Sequence, residues 1–148
     1  MNIEEQYICN TPEECFDLGR SIGAGLSAGD VLLLFGGLGA GKTLLTKGIL
    51  GGLNYDIDEV TSPSFTLVNH YQTPTFDVYH IDLWRLDAAH DPAEAVGLSE
   101  ILENDNSVTI IEWADRLSDS TIPNAATRIY IEGDGGQPRT ISISKVSK

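Results

Sequence analysis

Gly36-Gly37-Leu38-Gly39-Ala40-Gly41-Lys42-Thr43 matches the pattern G-x-x-x-x-G-K-[ST]. The chemistry needs these residue types in this order. Glycines admit positive φ and close backbone approach, so successive N–H groups converge on phosphate oxygens. The Lys42 ammonium then reaches the β- and γ-phosphates, and the Thr43 hydroxyl ligates magnesium. A helix that opens directly after the loop directs its partial positive charge at the same anion. The segment therefore predicts a nucleoside triphosphate site. Guanine-specific NTPases usually carry an Asn-Lys-x-Asp segment, which this chain lacks, so ATP is the expected nucleotide.

Such a site needs carboxylates to hold magnesium or orient the attacking water, placed at the C-terminal ends of strands beside the loop. Asp82 closes the run Asp77-Val78-Tyr79-His80-Ile81, and Glu112 closes Val108-Thr109-Ile110-Ile111. A solvated acid at a strand end is the plain alternative for each. Thr61-Ser62-Pro63-Ser64-Phe65-Thr66 lies between the loop helix and the next strand. P-loop enzymes often carry a switch segment there, ordered by γ-phosphate and magnesium; spacing alone leaves an ordinary loop equally open. His80, on an alternating strand, fits a core position as well as a catalytic one. Arg85 fits the nucleotide, a partner or plain solvent.

The elements that must position these residues follow from periodicity. Thr11-Pro12-Glu13-Glu14 has an N-cap residue, Pro at the first helical position and Glu at the third. Cys15, Leu18, Ile22 and Leu26 continue it at helical spacing. Val31-Leu32-Leu33-Leu34-Phe35 reads as a strand buried on both faces, and Lys42 to Leu50 as a helix stopped at Gly51-Gly52. Strands are expected at Phe65–Tyr71, Asp77–Ile81 and Val108–Ile111, with a helix from Asp91-Pro92 to Glu103 burying Ala95, Leu98 and Leu102. Arg128–Glu132 and Thr140–Ser144 alternate around Gly133-Asp134-Gly135-Gly136, a hairpin signal. The expected fold is α/β: a three-layer P-loop NTPase-like domain whose mixed, mostly parallel sheet is flanked by helices and ends in an antiparallel hairpin.

Composition narrows the partners. The 148 residues carry 9 Lys plus Arg against 22 Asp plus Glu, a net charge of −13. A chain of that length suggests one domain, spanning 1–148. Phosphate contacts come from Lys and Arg, so direct binding to nucleic acid or an anionic membrane is disfavoured. Met1 to Gln6 has no basic leader character, and Val31–Phe35 is far short of the roughly 20 apolar residues a bilayer span requires. A cytoplasmic location is expected. Cys9 and Cys15 form no Cys-x-x-Cys pair, and His70, His80 and His90 match no helical zinc spacing.

Four ordered blocks resemble the bacterial TsaE family (also called YjeE), the P-loop ATPases of tRNA threonylcarbamoyladenosine modification. They are the loop Gly36–Thr43, Ser62-Pro63-Ser64-Phe65-Thr66-Leu67-Val68, Tyr79-His80-Ile81-Asp82-Leu83-Trp84-Arg85, and Ile111-Glu112-Trp113. The resemblance implies that Thr43 and Glu112 hold magnesium and that Lys42, Asp82, Glu112 and Thr66 serve catalysis. Gly37, Leu38, Gly39, Ala40, Gly41, Lys42, Thr43 and Leu44 would surround the phosphates, with Trp113 beside the nucleotide and Thr11 toward the adenine. It further implies ATP and Mg2+ as ligands, and the TsaD and TsaB proteins as partners, with tRNA reached only through them. In that role ATP hydrolysis resets the partner complex between cycles. Three positions depart from the family pattern: Gly37 stands where Asp is usual, Ser64 where Thr is, and Trp84 where Tyr is. Gly37 keeps a non-catalytic, nucleotide-gated binding module open as an alternative. A small-molecule kinase is disfavoured because no Arg-rich lid follows the loop.

Overall fold

Val31, Leu32, Leu33 and Leu34 are all buried, as a continuously apolar strand must be, and this strand is the axis of the molecule. The computed structural model describes residues 2–37, 40–60, 68–83, 91–118, 122–123, 125–133, 135–136 and 138–146. Among them one seven-stranded sheet has the order β1-β7-β6-β2-β5-β4-β3. The strands are β1 (Asn2–Cys9), β2 (Val31–Phe35), β3 (Val68–Gln72), β4 (Asp77–Asp82), β5 (Ser107–Glu112), β6 (Thr127–Glu132) and β7 (Arg139–Val146). The helices are α1 (Pro12–Ala24), α2 (Lys42–Gly52), α3 (Pro92–Val96) and α4 (Leu98–Leu102). The parallel pairings join the four central strands β6, β2, β5 and β4; β1 and β7 at one margin and β3 at the other are antiparallel.

Strand periodicity sorts the core into two layers. Leu32 and Leu34 of β2, with Val108, Ile110, Ile129 and Ile141, pack toward α1 and α2. Val31 and Leu33, with Ile81 and Ile111, pack toward Leu98 and Leu117 on the opposite face. This is the expected α/β arrangement, helix layers enclosing a mixed sheet with a C-terminal antiparallel pair. The expected strands are present, although residues 65–67 of the segment read as Phe65–Tyr71 lie outside the described residues. β1 is an addition. Its sequence, Asn-Ile-Glu-Glu-Gln-Tyr-Ile-Cys, does not alternate cleanly, and its strand form comes from pairing with β7, where Glu5 stands opposite Ile143.

Two helices differ from expectation in an instructive way. The segment from Asp91 to Glu103 is two short helices rather than one. Asp91 caps the first, accepting from the Ala93 N–H at 3.1 Å, and Gly97 at φ 67° breaks it from the second. Ala95 is consequently exposed and Leu102 half-buried, while Leu98 is buried as expected. In α1, Thr11 caps by accepting from the Glu14 N–H at 3.2 Å, and the Glu14 carboxylate accepts from the Asn10 N–H at 3.0 Å. The buried face of α1 is Cys15, Gly19 and Gly23; Leu18, Ile22 and Leu26 flank it half-buried. A Cβ placed on Gly19 would lie 2.6 Å from the Leu45 carbonyl oxygen, and Gly23, Gly48 and Gly52 are closed by backbone in the same way. The two helices thus cross backbone to backbone. That crossing seats the N-terminus of α2 against the sheet.

Candidate functional site

Three adjacent parallel strands finish on one row. Leu34 of β2, Glu112 of β5 and Asp82 of β4 are in register, on strands spaced roughly 4.7–4.9 Å apart. Residues in register share a face, and Leu34 packs toward α2, so both carboxylates project to the side on which α2 begins. Between β2 and α2 runs the glycine loop. Gly41 has φ 106°, a left-handed conformation that L side chains rarely adopt, and it leads directly into Lys42, the first residue of α2.

Lys42 is 6% exposed, and its side chain folds back over the loop. Its Nζ donates to the Gly36 carbonyl at 2.7 Å and to the Gly37 carbonyl at 2.9 Å, and lies 4.4 Å from the centroid of the Trp113 ring. Burial pushes its ammonium below the ordinary lysine range, against the opposing pull of Glu112, Asp82 and Asp115. Trp113 takes the position over the lysine by adopting φ 59°, one residue beyond the end of β5. Glu112 is 3% exposed and accepts a hydrogen bond from His80 Nε2. With a carboxylate as acceptor, the proton is on Nε2, and the fully buried Nδ1 has no hydrogen-bond partner among the described residues. His80 is thus a core histidine that fixes the rotamer of Glu112.

On the other side of the loop lies a cavity of about 190 Å³. Cys9, Thr11 and Cys15 line it from β1 and the start of α1; Ala40, Gly41 and Leu44 come from the loop and α2, Gly135 from the β6–β7 turn and Arg139 from the first position of β7. Cys9 and Cys15 are both buried thiols. Burial, followed by a hydrogen bond shared with Cys15, pushes the Cys9 thiol up to about 12.

Chemically, the arrangement sets a helix N-terminus and one buried cation beside a row of hard oxygen donors. Thr43, Glu112 and Asp82 offer oxygens, the donor type magnesium prefers. Among the described residues no three His, Cys, Asp or Glu side chains gather into a cation cage. Such a donor set fits an ion that keeps waters and takes its remaining ligands from substrate phosphates, which is magnesium's habit.

Residues 9–141 match the family described as Threonylcarbamoyl adenosine biosynthesis protein TsaE. The chain belongs to the TsaE family. The tRNA threonylcarbamoyladenosine biosynthesis protein TsaE of Bacillus subtilis is 36% identical over 135 residues, spanning 91% of this chain and 82% of that one. The protein of the same name from Nostoc is 39% identical over 110 residues, covering 71% of this chain and 65% of the relative. The crystal structure of Bacillus subtilis YdiB superposes with a TM-score of 0.78 at 31% identity, over 99% of this chain and 88% of that one.

In this TsaE-family chain, the fold gathers Ala40, Gly41, Lys42, Thr43, Asp82, Glu112 and Trp113 at one sheet edge, with Thr11 and Leu44 lining the adjoining cavity. Leu38, Gly39, Thr66 and Arg85, together with the departing positions Ser64 and Trp84, lie outside the described residues. Among the described residues nothing stands within 4 Å of a Cβ built on Gly37, and its φ is not in the left-handed range. Three contributors were not singled out from sequence. Asp115 acts on Lys42 through its charge. Cys9 lines the cavity because β1 exists, and Arg139 because β7 starts beside the loop; neither has a local motif.

Proposed function

We propose that this chain is a magnesium-dependent ATP hydrolase, one P-loop domain over residues 1–148, that serves threonylcarbamoyladenosine modification of tRNA in the cytoplasm. It binds the TsaB–TsaD complex in an ATP-dependent manner and resets it between cycles, touching tRNA only through those partners. The observation that carries this reading is Lys42, buried at the head of α2 and facing Glu112, Asp82 and Asp115. A cation so surrounded by acids is matched to a polyanion that brings its own divalent ion.

In this mechanism the loop amides and Lys42 bind the β- and γ-phosphates, and the α2 N-terminus adds its dipole. Thr43 and Glu112 would hold magnesium, which would supply neutralisation of charge on the phosphate oxygens. His80 keeps Glu112 in one rotamer. Asp82 and Thr66 orient the attacking water, whose oxygen bonds to the γ-phosphorus as the bond to the β–γ bridging oxygen breaks, giving ADP and inorganic phosphate; one proton of the water stays on the phosphate and the other passes to solvent. Trp113 covers Lys42 and excludes solvent from it. The adenine lies toward Thr11 and Leu44.

A second reading, a nucleotide-gated binding module with little turnover, draws support from Gly37, which leaves the loop without its usual carboxylate. Product analysis with γ-labelled ATP separates the possibilities. Release of inorganic phosphate, stimulated by the partner proteins, is expected. A labelled acceptor molecule would overturn the hydrolase, and partner binding that tracks ATP occupancy without phosphate release would favour the module.

A further inference from the structure

Arg139 opens β7 on the same face of the sheet as the two carboxylates but on the opposite flank of β2, and its side chain reaches the phosphate loop. Its Nε donates to the Ala40 carbonyl at 2.9 Å, a bond joining residues 99 positions apart in sequence. Its Nη2 donates to the Gly135 carbonyl at 3.1 Å, in the turn between β6 and β7. One half-buried guanidinium therefore grips the loop with one arm and the cavity wall with the other.

The first of these bonds has a consequence for the loop's other face. In a trans peptide the C=O and N–H point in opposite directions, and no described peptide bond is cis. Holding the Ala40 oxygen toward β7 turns the Gly41 N–H away from β7, into the loop. Glycine by itself does not choose between orientations of that peptide, and Gly41 stands at φ 106° with no described residue within 4 Å of its Cβ direction. The flanking groups are held by Ala40 N–H to the Gly37 carbonyl at 3.2 Å and Leu45 N–H to the Gly41 carbonyl at 3.0 Å, and the Ala40 carbonyl is held by Arg139. A guanidinium suits the task because it is always charged and presents donors in fixed, diverging directions.

We propose that Arg139 is a positioning residue of the nucleotide site: it holds the Ala40–Gly41 peptide with its amide toward the phosphates and fixes the Gly135 turn as a wall of the base cavity. The proposal rests on the reading of the loop as an ATP site. Arg139 itself does not touch the reacting atoms. Its effect falls on phosphate affinity, through the presentation of one amide. A lysine at the same position keeps the charge but cannot make both bonds in their observed directions.

The test is calorimetric titration of the full-length chain with MgATP and with inorganic tripolyphosphate, for wild type, Arg139→Gln, Arg139→Lys and Lys42→Ala. Arg139→Gln is expected to weaken both ligands by about tenfold, the scale of one charge-assisted hydrogen bond, with Arg139→Lys restoring only part. In the same variant the Gly41 amide resonance moves in 15N spectra, while those of Val78 and Ile110 on the central strands stay in place. A role confined to stability would lower the melting temperature without that selective shift. The proposal is overturned if Arg139→Gln binds MgATP within about twofold of wild type while Lys42→Ala abolishes binding. If Lys42→Ala binds normally, the ATP-site reading itself fails, and this inference with it. Should Arg139→Gln not fold, the wild-type protein still decides. A scalar coupling across the hydrogen bond from Arg139 Nε to the Ala40 carbonyl carbon, with MgATP bound, supports the proposal, and its absence overturns it.

Discussion

At Lys42 and Gly37, backbone and side chain share one small space: the ammonium is bonded to the carbonyls of Gly36 and Gly37 and capped by Trp113. Since no described residue stands in the Cβ direction of Gly37, Gly37→Asp should fold with stability within about 0.5 kcal/mol of wild type. The new carboxylate lies beside the proposed magnesium position, and steady-state phosphate release should rise. An unchanged rate would show that the loop carboxylate does not limit turnover. The cavity side makes a separate prediction. Cys9 ionises at about 12 in the folded chain against an ordinary value of 9.0. Between those values the folded state retains a proton that the unfolded state releases, so Cys9 makes stability fall as pH rises across that window. Below it the contribution is constant. Cys9→Ala should flatten this alkaline limb in urea unfolding; parallel curves for mutant and wild type would contradict the assigned burial.

At the level of elements, the position of the loop depends on how closely α1 and α2 cross. Alanine is the better helix former by about 1 kcal/mol, so propensity alone predicts that Gly23→Ala stabilises. The Ile49 carbonyl that a Cβ at Gly23 would strike is backbone and cannot step aside. A net loss of about 1–3 kcal/mol is therefore expected, measured as a lower urea midpoint, and a gain would contradict the crossing. This contact also shows why some of the molecule was legible in the sequence and some was not. The loop, its strand and the two strand-end carboxylates were readable because local pattern and tertiary position coincide: Val31–Phe35 is apolar because it is central, and Asp82 and Glu112 each close a strand on the row where the loop begins. The glycine face of α1 was hidden by its flanks, since Leu18 and Ile22 supply the periodicity while Gly19 and Gly23 make the contact. Gly97 was likewise masked by a continuous apolar stripe that its positive φ interrupts. β1 and Arg139 owe their roles to pairing with β7, a long-range fact that no local window contains.

For the whole molecule, charge sets the terms of association. The net charge of −13 is concentrated between Asp77 and Asp119, where eleven acids meet only Arg85 and Arg116. No helix among the described residues is long and apolar enough to cross a membrane. Electrostatics of this kind favours a basic partner surface and repels bare RNA. Association with TsaB and TsaD should therefore weaken as salt rises from 50 to about 500 mM, and tRNA alone should show no measurable binding at about 150 mM salt. Salt-independent assembly would assign the interface to apolar contacts instead. All of this depends on the loop being a nucleotide site. The most direct measurement is calorimetric titration of MgATP into wild type and into Lys42→Ala, with circular dichroism confirming that both are folded. A saturable isotherm for wild type and none for the variant is the predicted result. Equal affinity for the two proteins would contradict the account at its centre.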